Sequence, residues 1–197
     1  GKSTLAKLLI RLYEPTSGSV LMDGFDINQL DPADLRHNVA YVAQDAKLYF
    51  GTLRDNITFG LNGITDQQVV DAAEQAGILE LVNSHPLGFE MPVGERGETL
   101  SGGQRSAIAM ARVFLRKPRV LVMDEPTSAM DQGTEERLTQ QIKTRFSDST
   151  LLIITHKMSM LTLVDRLIVV DRGVIISDGP KSEVLAALKE GKIRGKS

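Results

Sequence analysis

The sequence predicts an α/β fold with a mainly parallel sheet and an inserted helical segment. Three observations lead there. Helical and strand-like segments alternate along the 197 residues, as they do where parallel strands are joined by helical crossovers. Two stretches, 119–124 (RVLVMD) and 150–155 (TLLIIT), are continuous apolar runs of strand length, as expected for strands covered on both faces. Between Gln44 and Arg119 the texture turns mostly helical.

Residues 2–12 read as a helix, with Leu5, Leu8, Leu9 and Leu12 at helical spacing. Residues 15–18 form a turn, and 19–23 a strand closed by Gly24. Residues 39–43 form a short apolar strand that runs into Gln44. In the insert, Thr65 and Gln68 make a capping-box pattern, Val69, Ala73 and Ala76 form the stripe behind it, and Gly77 ends that helix. Residues 102–116 form a second helix with two apolar stripes, Ala107/Met110/Phe114 and Ile108/Ala111/Leu115. Most of its circumference is therefore buried, and Pro118 stops it. After the two core strands, residues 166–171 and 174–177 flank Arg172-Gly173 as a hairpin.

The length suits one domain, or one domain with an inserted subdomain. A formal net charge of -2 gives no broad electrostatic case for nucleic acid or acidic lipid. With no Cys there is no disulfide and no Cys-based metal site. The longest aliphatic runs fall far short of the roughly 20 residues that a membrane helix needs. No internal repeat or low-complexity tract is visible.

Three motifs carry chemistry. Gly1-Lys2-Ser3-Thr4 has the form of the tail of a phosphate-binding loop, G-x-x-x-x-G-K-[ST]. In such a loop backbone N–H groups at a helix N-terminus wrap a phosphate, the Lys reaches the β- and γ-phosphates, and the Ser hydroxyl binds Mg²⁺. Alone, four residues are better read as a polar helix N-cap with no ligand. Next, residues 120–123 are apolar and deliver Asp124 and Glu125 at the C-terminal end of a strand, where ligands sit in open α/β sheets. Asp124 suits a Mg²⁺ ligand, and Glu125 suits a base that orients an attacking water. Third, Leu100-Ser101-Gly102-Gly103-Gln104 opens a helix. Its two glycines let backbone approach an anion closely, and the helix N-terminus favours negative charge. Ser101 and Gln104 also make a capping box, and both readings can hold together.

LSGGQ, then an apolar strand ending in Asp124-Glu125, then Pro126-Thr127-Ser128-Ala129-Met130-Asp131, resembles the nucleotide-binding domain of ABC transporters over essentially the whole chain. In that resemblance Gln44 matches the Q-loop, Asp131 the D-loop and His156 the switch histidine. It implies a P-loop NTPase of RecA-like fold spanning 1–197, with 1–44 and 117–197 as core and about 45–116 as the helical subdomain carrying the signature motif. It also implies that the chain is cut within its phosphate loop. An antiparallel subdomain, a strand, the first loop glycines and an adenine-stacking aromatic would precede Gly1. A protein of these residues alone is then expected to bind ATP poorly and to aggregate, for want of a central strand.

The implied cofactors are ATP and Mg²⁺. Gly1, Lys2 and Thr4 would hold phosphates, while Ser3, Gln44 and Asp124 organise Mg²⁺ and water. Glu125 would be the base, and His156 would bond the γ-phosphate. Two domains would meet head to tail, so that Ser101, Gly102 and Gly103, with Gln104 beside them, reach the other copy's ATP and Asp131 works at the seam. The stretches 51–57 (GTLRDNI) and 93–97 (VGERG) look like exporter segments that touch the transmembrane domain. His85-Pro86-Leu87-Gly88-Phe89 and Met130 further resemble the permease/ATPase of bacterial type I secretion, which exports RTX-type adhesins. That reading implies ATP hydrolysis coupled to protein export at the cytoplasmic face of the bacterial inner membrane, with membrane-fusion and outer-membrane partners and no nucleic acid. The alternatives are an exporter of lipid, peptide or drug and, in another class, a non-transport ABC clamp on ribosome or DNA. His37 and His85 match no catalytic motif.

Overall fold

A computed structural model of the chain describes residues 1–193; residues 194–197 of the expected 1–197 span lie outside the described residues. Helix α1 (Lys2–Leu9) is followed by a two-residue ribbon, β1 (Leu21–Met22) and β2 (Phe25–Asp26), then α2 (Pro32–Asn38) and β3 (Val39–Val42). Four helices come next: α3 (Leu53–Thr58), α4 (Asp66–Gln75), α5 (Leu79–Ser84) and α6 (Gly102–Arg116). The chain then forms β4 (Val120–Asp124), α7 (Gln132–Arg145), β5 (Thr150–Ile154), the hairpin β6 (Arg166–Asp171) and β7 (Val174–Pro180), and α8 (Lys181–Lys189).

The central sheet is parallel, in the order β3-β4-β5, with Val42 opposite Met123 and Met123 opposite Ile153. Strand alternation divides its side chains between two cores. Val39, Val122 and Ile154 pack with Ala6 of α1 and Leu35 of α2. Ala40, Val42, Leu121 and Met123 face the larger core built by α3, α4, α6 and α7. β4 is buried on both faces, as its sequence predicts. β5 is not: Thr150 is exposed and Leu151, Leu152 and Ile153 are half-buried. Among the described residues no strand pairs with its outer edge. A groove of about 1060 Å³ runs there between α1, β5 and β6.

That groove explains a second departure. The leucine stripe of α1 does not enter a core; Leu5 is 42% exposed and Leu5, Leu8 and Leu9 line the groove, so Ala6 is the helix's one buried residue. The helix also stops at Leu9 rather than residue 12, because Arg11 adopts a left-handed φ of 55°. The strand expected at 19–23 shrinks to Leu21–Met22 and pairs with β2 across Asp23-Gly24, both at positive φ, the combination that a tight type I′ hairpin turn requires.

The helix ends follow the sequence closely. Thr65 and Ser101 cap α4 and α6, with reciprocal bonds to Gln68 and Gln104. Thr52 and Asp55 form a third capping box at α3, in a stretch to which the sequence reading assigned no element. Val69, Ala73 and Ala76 are buried, as are Ala107, Ile108, Met110, Ala111 and Phe114 of α6. No helix among the described residues is long and apolar enough to cross a membrane.

Candidate functional site

Because the three core strands are parallel and in register, their C-terminal ends open on one edge of the sheet. Gln44 leaves β3 two residues past Val42, Asp124 ends β4, and His156 follows β5 by two residues. The fold thus gathers Gln44, the Asp124-Glu125 pair and His156 at the edge where α/β sheets bind ligands.

Asp124 is buried, with its Oδ2 accepting from the Tyr41 hydroxyl at 3.5 Å and its Oδ1 without a partner. Burial, with the Asp124 charge beside it, raises the Tyr41 hydroxyl above its ordinary value. Glu125 sits at a left-handed φ of 48°, strain worth roughly 1–3 kcal/mol that persists only where surroundings enforce it. Here its N–H donates to Ile154 O at 2.8 Å, and its carbonyl accepts from Ser128 N at 3.1 Å. Its carboxylate is 12% exposed, and Oε1 lies 3.4 Å from His156 Nε2 without hydrogen-bond alignment. The His156 ring itself is 75% exposed. An unpartnered buried oxygen is costly, and two on adjacent residues at a strand end mark a place built to receive donors or a cation.

Gly1 is the N-cap of α1 and makes no side-chain cap; Lys2 and Ser3 are half-buried and Thr4 is exposed. Ser101 is exposed at the start of α6, its Oγ accepting from Gln104 N at 3.2 Å and its N–H donating to Gln104 Oε1 at 2.8 Å. Asp131 caps α7, accepting from Thr134 N at 2.9 Å and from the Thr134 hydroxyl at 2.7 Å. Those bonds hold its carboxyl below the usual range. A cleft of about 350 Å³ separates Gln44 and Lys47 from Gly102, Arg105 and Ala129.

The glycines of the signature turn have an intrachain reason as well. A Cβ on Gly103 would lie 2.8 Å from Ala129 O, and one on Gly102 would lie 3.0 Å from the Ala129 methyl. They let the segment after Glu125 pack directly on α6, a contact with no local signal in the sequence. Two polar clusters were also not legible. Arg112 of α6 donates to the Asn56 carbonyl, to Asn56 Oδ1 at 2.8 Å and to Lys47 O at 3.2 Å. Its guanidinium lies against the stacked rings of Tyr49 and Phe59. Burial pushes its pKa down. Asn56 in turn accepts from Tyr49 N and donates to Tyr49 O and Thr52 O. The other cluster joins Glu135, Lys157 and Ser159.

A parallel α/β sheet with a Gly-Lys-Ser helix start and paired carboxylates at a strand end is the frame of a nucleotide-hydrolysing domain. The chain matches the family model described as "ABC transporter" over residues 1–128. It belongs to the ABC transporter family, as its ATPase domain. It is 44% identical over 184 residues to a "Multidrug efflux ATP-binding/permease protein" of Mycobacterium bovis, covering 93% of this chain and 15% of that protein. It is 37% identical over 185 residues to the "Heterocyst differentiation ATP-binding protein HepA" of a Nostoc species, covering 94% of this chain and 30% of that one. The solved structure of a bacterial Atm1-family ABC exporter with ATP bound superposes with a TM-score of 0.90 at 35% identity, over 94% of this chain and 33% of that one. The chain therefore spans no more than about a third of these relatives' lengths.

Proposed function

We propose that these residues are the motor of an ABC exporter whose polypeptide also carries a transmembrane domain, and that two such motors close head to tail on ATP at the cytoplasmic face of a bacterial inner membrane. The fused ATP-binding/permease relatives support the arrangement. Within it, residues 1–44 and 117–193 form the core and about 45–116 the helical subdomain.

The observation that carries the reading is the pair of unpartnered oxygens, Asp124 Oδ1 and Glu125 Oε1, beside the His156 ring. Gly1, Lys2 and Thr4 hold the phosphates of ATP. The Glu125 carboxylate accepts a proton from the attacking water, and His156 Nε2 faces the γ-phosphate. Ser3, Gln44 and Asp124 present a hydroxyl, an amide oxygen and one carboxylate, a hard-oxygen set that fits Mg²⁺. When bound, Mg²⁺ supplies positive charge at the β- and γ-phosphates. The N-terminus of α6, with Ser101 exposed and Gly102, Gly103 and Gln104 half-buried, serves the second copy's nucleotide, since α1 already offers a helix N-terminus to its own. Asp131 keeps the turn at the seam in shape.

For cargo, the multidrug efflux relative favours a small amphipathic molecule, lipid or peptide over a secreted protein. Of the residues that suggested type I secretion, Met130 is buried in the main core at 9% exposed, and His85 Nδ1 accepts from Leu87 N in a local turn. Membrane-fusion and outer-membrane partners belong only to the secretion reading.

Inverted membrane vesicles bearing the complete exporter test both parts. ATP-driven uptake of a fluorescent amphipathic dye is expected, and it should disappear with weakened nucleotide binding in Lys2→Ala. Undiminished ATP binding by Lys2→Ala contradicts the phosphate-loop assignment, and secretion of a protein cargo with no dye uptake contradicts the cargo class.

A further inference from the structure

Among the described residues the buried acidic residues are Asp124 and Glu135. Asp124 belongs to the site above; Glu135 does not, and a buried carboxylate needs an explanation. It lies on the first turn of α7, one turn past Asp131. Each carboxylate oxygen has its own donor: Oε2 takes the Lys157 ammonium and Oε1 the Ser159 hydroxyl. Both donors come from the segment that follows His156.

Lys157 does more than neutralise the charge. Its Nζ also donates to Thr127 O at 2.7 Å, in the segment that follows Glu125. Its own N–H donates to the Thr155 hydroxyl at 3.0 Å, which shapes the turn on which His156 sits. One ammonium thus bridges the two chain segments that carry Glu125 and His156, and Glu135 holds that ammonium in place. Met160, fully buried, accepts from the Thr139 hydroxyl at 3.5 Å and seats the same segment on α7. The His156 ring, by contrast, is 75% exposed and has little packing of its own. Its position relative to Glu125 is therefore set by its neighbours in the chain.

We propose that Glu135 is a positioning residue for hydrolysis: through Lys157 and Ser159 it holds His156 against Glu125 and ties that pair to the Asp131 turn. The inference rests on the reading that Glu125 and His156 act on the attacking water. Misplacing a reacting group by about 1 Å can cost on the order of 10²-fold, so a short, exposed turn gains from a buried ionic anchor. The anchor also lets the Asp131 turn, at the proposed seam between copies, bear on His156 without contacting nucleotide.

The test uses the complete exporter in membrane vesicles, with ATPase kcat and KM and thermal unfolding read for each variant. Glu135→Gln preserves shape and removes the charge that holds Lys157. It and Lys157→Met should each lower kcat by about tenfold or more, with KM for ATP unchanged, and Lys157→Arg should restore most of what Lys157→Met removes. On a His156→Ala background, Glu135→Gln should cost nothing further. A purely structural role predicts otherwise: a lower unfolding temperature with kcat retained, or losses that add on the His156→Ala background. Either overturns the proposal. Glu125→Gln serves as the reference. If it hydrolyses ATP like the parent, the hydrolysis reading falls and this inference with it; if it is inactive while Glu135→Gln is fully active, only the positioning role falls.

Discussion

His156 Nε2 stands 3.4 Å from Glu125 Oε1, although the two residues follow different strands; β4 and β5, parallel and in register, bring them to the same edge. The distance is close enough for both to contact one water or one phosphate oxygen, and the missing hydrogen-bond alignment leaves each free to do so. His156→Ala in the complete exporter should therefore lower the steady-state ATPase rate while ATP still binds, since the ring helps to hold the reacting groups and the phosphates are anchored elsewhere. Loss of ATP binding in that variant, measured with a fluorescent nucleotide, would place the histidine in a different role.

Asn56 should behave as a structural keystone. It is 1% exposed, and it bonds Tyr49, Thr52 and Arg112. In Asn56→Ala the buried Arg112 guanidinium loses a side-chain acceptor and Tyr49 N loses its partner, each an unsatisfied group costing about 1–3 kcal/mol. Denaturant unfolding should report a loss of that size, and a loss below about 0.5 kcal/mol, within ordinary surface-substitution range, would show that the loop can rearrange around the gap.

Acid should unfold the domain for a specific reason. Burial pushes the Glu135 carboxyl up, but hydrogen bonds from Lys157 and Ser159 and the Lys157 charge outweigh it, so the group lies below its ordinary value of 4.5. Asp178, paired with Arg166, Asp55, bonded to the cap Thr52, and Asp131, itself a cap bonded to Thr134, are likewise lowered. A lowered carboxyl binds fewer protons in the folded state, so its contribution is complete above its unfolded value and fades as pH falls through its folded one. Unfolding temperature should be level from neutral pH down to about 5 and drop below that, and the drop should be shallower in Glu135→Gln. An equally steep drop in that variant would assign the acid sensitivity to the other carboxylates.

Much of the frame was legible because local signals agreed with tertiary demands. Helix α6 carries a cap, two apolar stripes and a proline stop, and it forms as Gly102–Arg116. β4 reads as buried and is. Helix α7 was not legible: of its 14 residues only Glu135, Leu138 and Ile142 are buried, too narrow a stripe to set a period, and one of the three is a charge. Helix α3, at six residues, is too short to show a period at all, although its cap, Thr52 with Asp55, is present in the sequence. Asp124 and Glu125 stood out because they close an apolar strand, whereas Gln44 and His156 entered through the family resemblance, each just after a strand. Asn56, Arg112 and Glu135 have partners in segments distant along the chain, and no spacing rule connects them. β5 and the leucines of α1 departed from expectation for one shared reason, the open groove between them.

The central claim, that the carboxylate at the end of β4 drives ATP hydrolysis, is tested most directly by Glu125→Gln in the complete exporter, with ATP occupancy and phosphate release measured on the same sample. The amide keeps the shape of the side chain and cannot take a proton, so phosphate release should fall by about 10²-fold or more while ATP remains bound. Phosphate release at the parent's rate with ATP bound would contradict the account.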